Sequence, residues 1–180
     1  MLVNDGGGHF SEIIHLPGGF LKTRVISVAD INGDGMVDIL TGNDYQKNQL
    51  LLNQGNGTYF TDVDLPGGTK IFSIGAADMN GDGMVDILIG VVTENKLLLN
   101  DGNGTFSKAV DLPGGSYRTR YIAAADVNGD GMLDVLIGNA DHKNQVLLYD
   151  PCPNGGAQLH SRSWCFGCPS FMGRDRSRTG

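Results

Sequence analysis

"DMNGDGMVDILIG", residues 78–90, decides how this chain is read. Nearly the same words stand at 30–42 ("DINGDGMVDILTG") and 126–138 ("DVNGDGMLDVLIG"), each offset by 48 residues from the next. A fixed period of 20–50 residues marks a repeat architecture. Other phrases keep the same beat: "LPGG" at 16–19, 65–68 and 112–115, and the turn phrases "NDGGGHF" (4–10), "NQGNGTYF" (53–60) and "NDGNGTF" (100–106). The repeat therefore spans 1–150, as a partial unit over 1–19, full units over 20–68 and 69–115, and a partial unit over 116–150.

Within the middle unit, "KIFSIGAAD" (70–78), "VDILIGV" (85–91), "NKLLLN" (95–100) and "TFSKAVDL" (105–112) read as four short strands. They are β-branched or aromatic, bounded by Gly, Asn, Asp or Pro, and too short for ordinary helices. "NDGNG" is hairpin chemistry, because Asn and Gly accept positive φ. The first strand ends on small residues in every unit: "ISVAD" (26–30), "IGAAD" (74–78), "IAAAD" (122–126). Ala is a poor strand former, so something there excludes bulk. Four strands per unit, a period in the forties and a crowded inner strand predict an all-β chain of four-stranded antiparallel β-propeller blades. A stacked solenoid is the alternative.

The Asp-rich phrase carries the chemistry. Counting from Asp78, side-chain oxygens fall at positions one, three, five and nine: Asp78, Asn80, Asp82 and Asp86, with Gly83 at six and the Met84 carbonyl at seven. Oxygen donors at alternate positions with Gly at six are the pattern of a calcium loop. The other copies supply Asp30, Asn32, Asp34, Met36 and Asp38, and Asp126, Asn128, Asp130, Met132 and Asp134. The expectation is about three Ca²⁺, one per unit. An EF-hand is excluded: position twelve is Thr41, Ile89 or Ile137 instead of Glu, and the flanks are strands. Asn-Gly-Asp-Gly also turns well without metal, but three repelling Asp within nine residues exceed what a turn needs.

On these residues the unit "FSIGAADMNGDGMVDILIG" (72–90) resembles the FG-GAP or VCBS-type repeat of integrin α-subunit propellers and many secreted proteins. The resemblance covers 1–150 and rests on the D-x-N-G-D-G-x-x-D motif. It implies a calcium-stabilised, usually seven-bladed propeller, extracellular or at the cell surface, serving adhesion or protein-ligand recognition. Some lectins and sugar-active enzymes resemble the same repeat, so a carbohydrate-binding propeller is the second functional class. Three units would form an open arc whose free edges favour self-association.

Charge divides the chain. Residues 1–150 hold 9 Lys/Arg against 19 Asp/Glu, a net of −10; residues 151–180 hold 4 Arg against 1 Asp, a net of +3. The acidic body excludes a nucleic-acid footprint, and no apolar run reaches the length of a membrane span. No H-E-x-x-H, G-x-S-x-G or phosphate loop occurs, so the chain is read as no enzyme. All three cysteines, Cys152, Cys165 and Cys168, lie in 151–180, which is expected to be disordered or the start of a truncated cysteine-rich module. "MLVNDGGGHF" (1–10) aligns with "LLLNDGNGTF" (97–106), and no signal peptide precedes it, so the chain is read as a fragment. The last unit is expected to stop before a fourth strand.

Successive connections in an antiparallel blade alternate between its two ends. The Asp loops and the Asn-Gly turns therefore share one face, and the remaining loops lie opposite. That opposite face carries eight of the body's nine basic residues and the loops that differ most between units. Lys22, Arg24, Tyr45, Lys70, Tyr117, Arg118, Arg120 and His142 are its candidate ligand-binding residues, for a protein or glycan partner. The competing reading is that these cations only solvate strand ends.

Overall fold

The computed structural model describes residues 2–68, 70–149 and 159–160. The described residues form strands and turns only. A hairpin of β1 (Leu2–Asn4) and β2 (Phe10–Ile13) comes first. Three four-stranded antiparallel sheets follow, each in simple sequential order. The first blade is β3 (Thr23–Ala29), β4 (Asp38–Asn43), β5 (Asn48–Asn53) and β6 (Tyr59–Leu65). The second is β7 (Ser73–Ala77), β8 (Asp86–Gly90), β9 (Lys96–Leu99) and β10 (Lys108–Asp111). The third is β11 (Thr119–Ala125), β12 (Asp134–Asn139), β13 (Gln145–Tyr149) and β14 (Leu159–His160).

These sheets are the expected propeller blades. β3 packs on β7 and β7 on β11, so the first strands, with their small residues, gather at the inner edge. One expectation is corrected. The third blade does not stop at three strands: Leu159–His160 pairs antiparallel with β13. The signal was hidden because the polar, Gly- and Pro-containing link before it shows no strand pattern. The three cysteines fall outside the described residues.

Register is identical at the motif in each blade: Ala29 faces Asp38, Ala77 faces Asp86 and Ala125 faces Asp134. The hairpin turns take the predicted chemistry, with Asn56 and Asn103 both at φ 54°.

Two cores lie between the blades. Leu40 and Leu50 of the first blade meet Ile74, Ile87 and Ile89 of the second. Leu88 and Leu97 of the second meet Ile122, Val135 and Leu147 of the third. Strand β8 thus feeds both cores by side-chain alternation and is buried along its whole length. Each such Ile or Leu contributes roughly 1.5–3 kcal/mol of burial. Polar bonds cross the same seams. The Asn100 side-chain amide donates to the Ile31 carbonyl at 2.8 Å, and the Ile122 N–H donates to Ser73 Oγ at 3.0 Å.

Candidate functional site

The Asp loops fold alike in all three blades. In the second, Asp78 Oδ1 accepts the N–H groups of Gly81 (2.7 Å) and Asp82 (3.1 Å), and its Oδ2 accepts that of Gly83 (2.8 Å). Asn80 donates its amide to Asp82 Oδ2 at 2.7 Å, and the Met84 N–H donates to Asp82 Oδ1 at 2.8 Å. Gly83 holds φ 86°, the left-handed turn that position six requires. Asp30 and Asp126 accept the corresponding N–H groups in their loops. Those donors, Gly131 first, hold the Asp126 carboxyl below the usual range.

Position nine behaves differently. Asp38, Asp86 and Asp134 are fully buried. Each carboxylate bridges two backbone segments: Asp86 accepts the Met79 N–H and the Asn100 N–H, both at 2.9 Å. Asp38 does the same for Ile31 and Asn53, and Asp134 for Val127 and Tyr149. The ninth residue ties the Asp loop to the end of the third strand. This also places the Asp loop and the Asn-Gly turn on one face, as the strand order predicts.

The methionines have a role that sequence reasoning missed. Met36 Sδ lies 3.5 Å from where a Cβ on Gly55 would stand, and Met84 Sδ lies 3.3 Å from that of Gly102. Met132 packs against the second core. In the first two blades the side chain at position seven therefore packs toward the hairpin turn of its own blade, and in the third toward the core, leaving its carbonyl as the candidate donor.

Among the described residues no three His, Cys, Asp or Glu side chains converge as a ready cluster, and the Asp78, Asp82 and Asp86 carboxylates all accept backbone N–H groups. The donor set still fits a hard cation: carboxylates, an amide oxygen and a carbonyl. Burial pushes the Asp86 carboxyl up, and the neighbouring charges of Asp82 and Asp78 push it further. A bound cation would remove that repulsion.

The opposite face brings most of its predicted residues together. The guanidinium carbons of Arg24, Arg120 and Arg118 lie 4.9, 5.1 and 5.8 Å from the centre of the Phe72 ring. Lys70 Nζ donates to Tyr45 Oη at 3.0 Å and sits 5.2 Å over its ring. Tyr117 and His142 stack at 4.1 Å, with 23° between their planes. Lys22 and Arg24 both contact Asp44 Oδ2, at 2.9 and 2.8 Å. Lys47 and Lys96 pair with Asp64 and Asp111 within their own blades. Phe72 and Asp44 were not singled out in the sequence. Alignment on the Asp loop would have found Phe72, which stands where the neighbouring blades have Arg24 and Arg120.

Stacked antiparallel blades, each with a carboxylate loop at one end and variable loops at the other, define a propeller repeat protein. The FG-GAP-like repeat profile matches residues 30–89 and 90–137, more than half of the chain. The chain belongs to the FG-GAP-like repeat family. No curated protein matches it in sequence. Among 25 matching solved chains is an Agrocybe aegerita lectin, whose structure was reported for specific recognition of non-reducing terminal N-acetylglucosamine. That match has a TM-score of 0.54 at 23% identity and covers 82% of this chain and 41% of the lectin. This chain thus spans about two fifths of that protein's length, and the likeness shows the fold.

Proposed function

We propose that this chain is a calcium-stabilised, non-catalytic recognition module of an extracellular or cell-surface protein. Its partner docks on the face opposite the Asp loops. The observation that carries the reading is the division of labour within each blade: one end repeats the same oxygen-rich loop three times, while the other varies and gathers cations and aromatics. Asp78, Asn80, Asp82, Asp86 and the Met84 carbonyl would hold Ca²⁺, with their counterparts in the flanking blades. The ion supplies charge neutralisation to carboxylates that otherwise repel, and so fixes the loop that closes β7 onto β8. Loops without a position-twelve Glu suit calcium at about 10⁻⁴–10⁻³ M, an extracellular concentration.

A carbohydrate-binding propeller is the second reading, favoured by the N-acetylglucosamine recognition named for the Agrocybe aegerita lectin.

A ligand bound only by the folded state raises stability with its concentration. Thermal unfolding in millimolar calcium and in EDTA tests the proposal. The melting temperature should rise with calcium and should rise less in Asp78→Ala. Superimposable curves would remove calcium from the account.

A further inference from the structure

The blade register places Lys22, Lys70 and Arg118 at one equivalent position and Arg24, Phe72 and Arg120 two residues later, just before or at the start of the inner strands. Three guanidinium groups from two blades thus crowd one ring of the blade between them. Like charges at that spacing repel unless a counterion is present.

The first blade carries its own counterion. Asp44 is buried and takes both Lys22 and Arg24. Its N–H donates to the Lys22 carbonyl at 2.9 Å, and the Ala140 N–H donates to the Arg118 carbonyl at the same distance. Ala140 therefore stands where the first blade has Asp44. Among the described residues no carboxylate lies within 4.0 Å of Arg118 or Arg120. A second feature lies on the same face. Tyr45 and Lys70, which touch, hold φ 57° and 78°, and among the described residues the other non-glycine residues with positive φ are the turn residues Asn56 and Asn103. Strained backbone of this kind gathers at ligand clamps.

We propose that this cluster docks an acidic segment of a protein partner, with a carboxylate of that segment taken by Arg118 and Arg120 in the role Asp44 plays for Arg24. A guanidinium stacked on a ring keeps its in-plane N–H donors free, and those donors match a carboxylate in bidentate fashion. The chain's net charge of −7 repels a long polyanion, so selection is by contact with a short acidic stretch instead of by long-range field. A sugar ring would need an open aromatic face; here guanidinium groups crowd Phe72 and His142 stacks on Tyr117, and Tyr45, though 67% exposed, carries the Lys70 ammonium over its ring. The inference rests on the recognition-module reading and is independent of whether the Asp loops hold calcium.

Fluorescence anisotropy with a labelled Glu-rich peptide, its Gln-rich counterpart and a uronate oligosaccharide tests it on the full chain. The Glu-rich peptide should bind, more weakly in high salt, and the Gln-rich peptide should not. Arg118→Ala and Arg120→Ala should each weaken binding by about tenfold or more. Ala140→Asp should weaken it similarly while leaving the melting temperature unchanged or raised, since it supplies an internal counterion. Lys108→Ala, an equal charge change off this face, should leave binding intact. Equal losses in Lys108→Ala, or full binding by Ala140→Asp, would overturn the site. Uronate binding in place of the peptide would overturn the partner class. A calcium-dependent melt in a chain that ignores the peptide would remove this inference alone, leaving the calcium half of the proposed function standing.

Discussion

Asp86 and Asp82 are four residues apart in one loop, yet their surroundings assign them different work. Asp86 is fully buried with both oxygens engaged by backbone N–H groups, whereas Asp82 is exposed. Asp86→Asn turns one acceptor into a donor facing a donor, so it should cost about 2–4 kcal/mol even in EDTA. Asp82→Asn under the same conditions should cost less than about 1 kcal/mol. Urea unfolding of the two variants separates a buried structural carboxylate from an exposed one, whose hydrogen bonds from Asn80 and Met84 lie open to water. Asp44 gives a prediction in pH. The side-chain hydrogen bonds from Arg24 and then Lys22 hold its carboxyl down to about 2. Because the folded value lies below the unfolded one, about 3.9, the pairing stabilises fully above about pH 4 and is lost as pH falls toward 2. Asp44→Asn should flatten that part of the acid-unfolding profile. An unchanged acid slope would place the sensitivity in other carboxylates.

At the scale of the strand, the glycine that closes the repeated phrase has a use visible only in three dimensions. A Cβ on Gly42 would lie 2.6 Å from Val25 Cγ1 of the paired strand and 2.9 Å from Ile71 Cγ2 of the next blade, and one on Gly90 would lie 2.9 Å from Thr119 Cγ2 of the next blade. Gly138 in the third blade meets only its own neighbour Tyr121, at 3.5 Å. Gly42→Ala and Gly90→Ala should therefore each cost roughly 1–3 kcal/mol through overpacking, while Gly138→Ala should stay within about 0.5 kcal/mol. Equal costs at all three would break the link between this glycine and blade stacking. The same comparison shows what the sequence could disclose. Strands, turns and the common face of the Asp loops and Asn-Gly turns followed from local pattern, since each depends on a few adjacent residues. The glycine slot, the stapling by position nine and the ring at Phe72 depend on partners a strand or a blade away. A letter such as Asp reads the same whether its oxygens face a cation or an amide. β14 escaped notice because two residues carry no periodicity.

At the scale of the molecule, the blade faces explain a pattern of exposure. Ile26, Ile74 and Ile122 are equivalent, yet they are 58%, 7% and 5% exposed. The second and third are covered by the preceding blade. On the other side, Tyr121 and Val146 of the third blade stay exposed while their counterparts inside the arc pack against a neighbour. Such apolar sheet faces accept another sheet of the same kind. The chain in isolation should therefore self-associate in sedimentation velocity, and Ile26→Lys with Tyr121→Lys should shift it toward monomer. A wild-type chain that sediments as a monomer at every concentration would contradict this.

Calcium stoichiometry decides whether the Asp loops are metal sites. Equilibrium dialysis of the intact chain against a calcium series should saturate at one ion per Asp loop, with half-saturation near 10⁻⁴–10⁻³ M. Asp30→Ala, Asp78→Ala and Asp126→Ala should each remove one ion. A chain that takes up no calcium through the millimolar range, or whose uptake is indifferent to all three substitutions, would leave the Asp loops as turns and contradict the account.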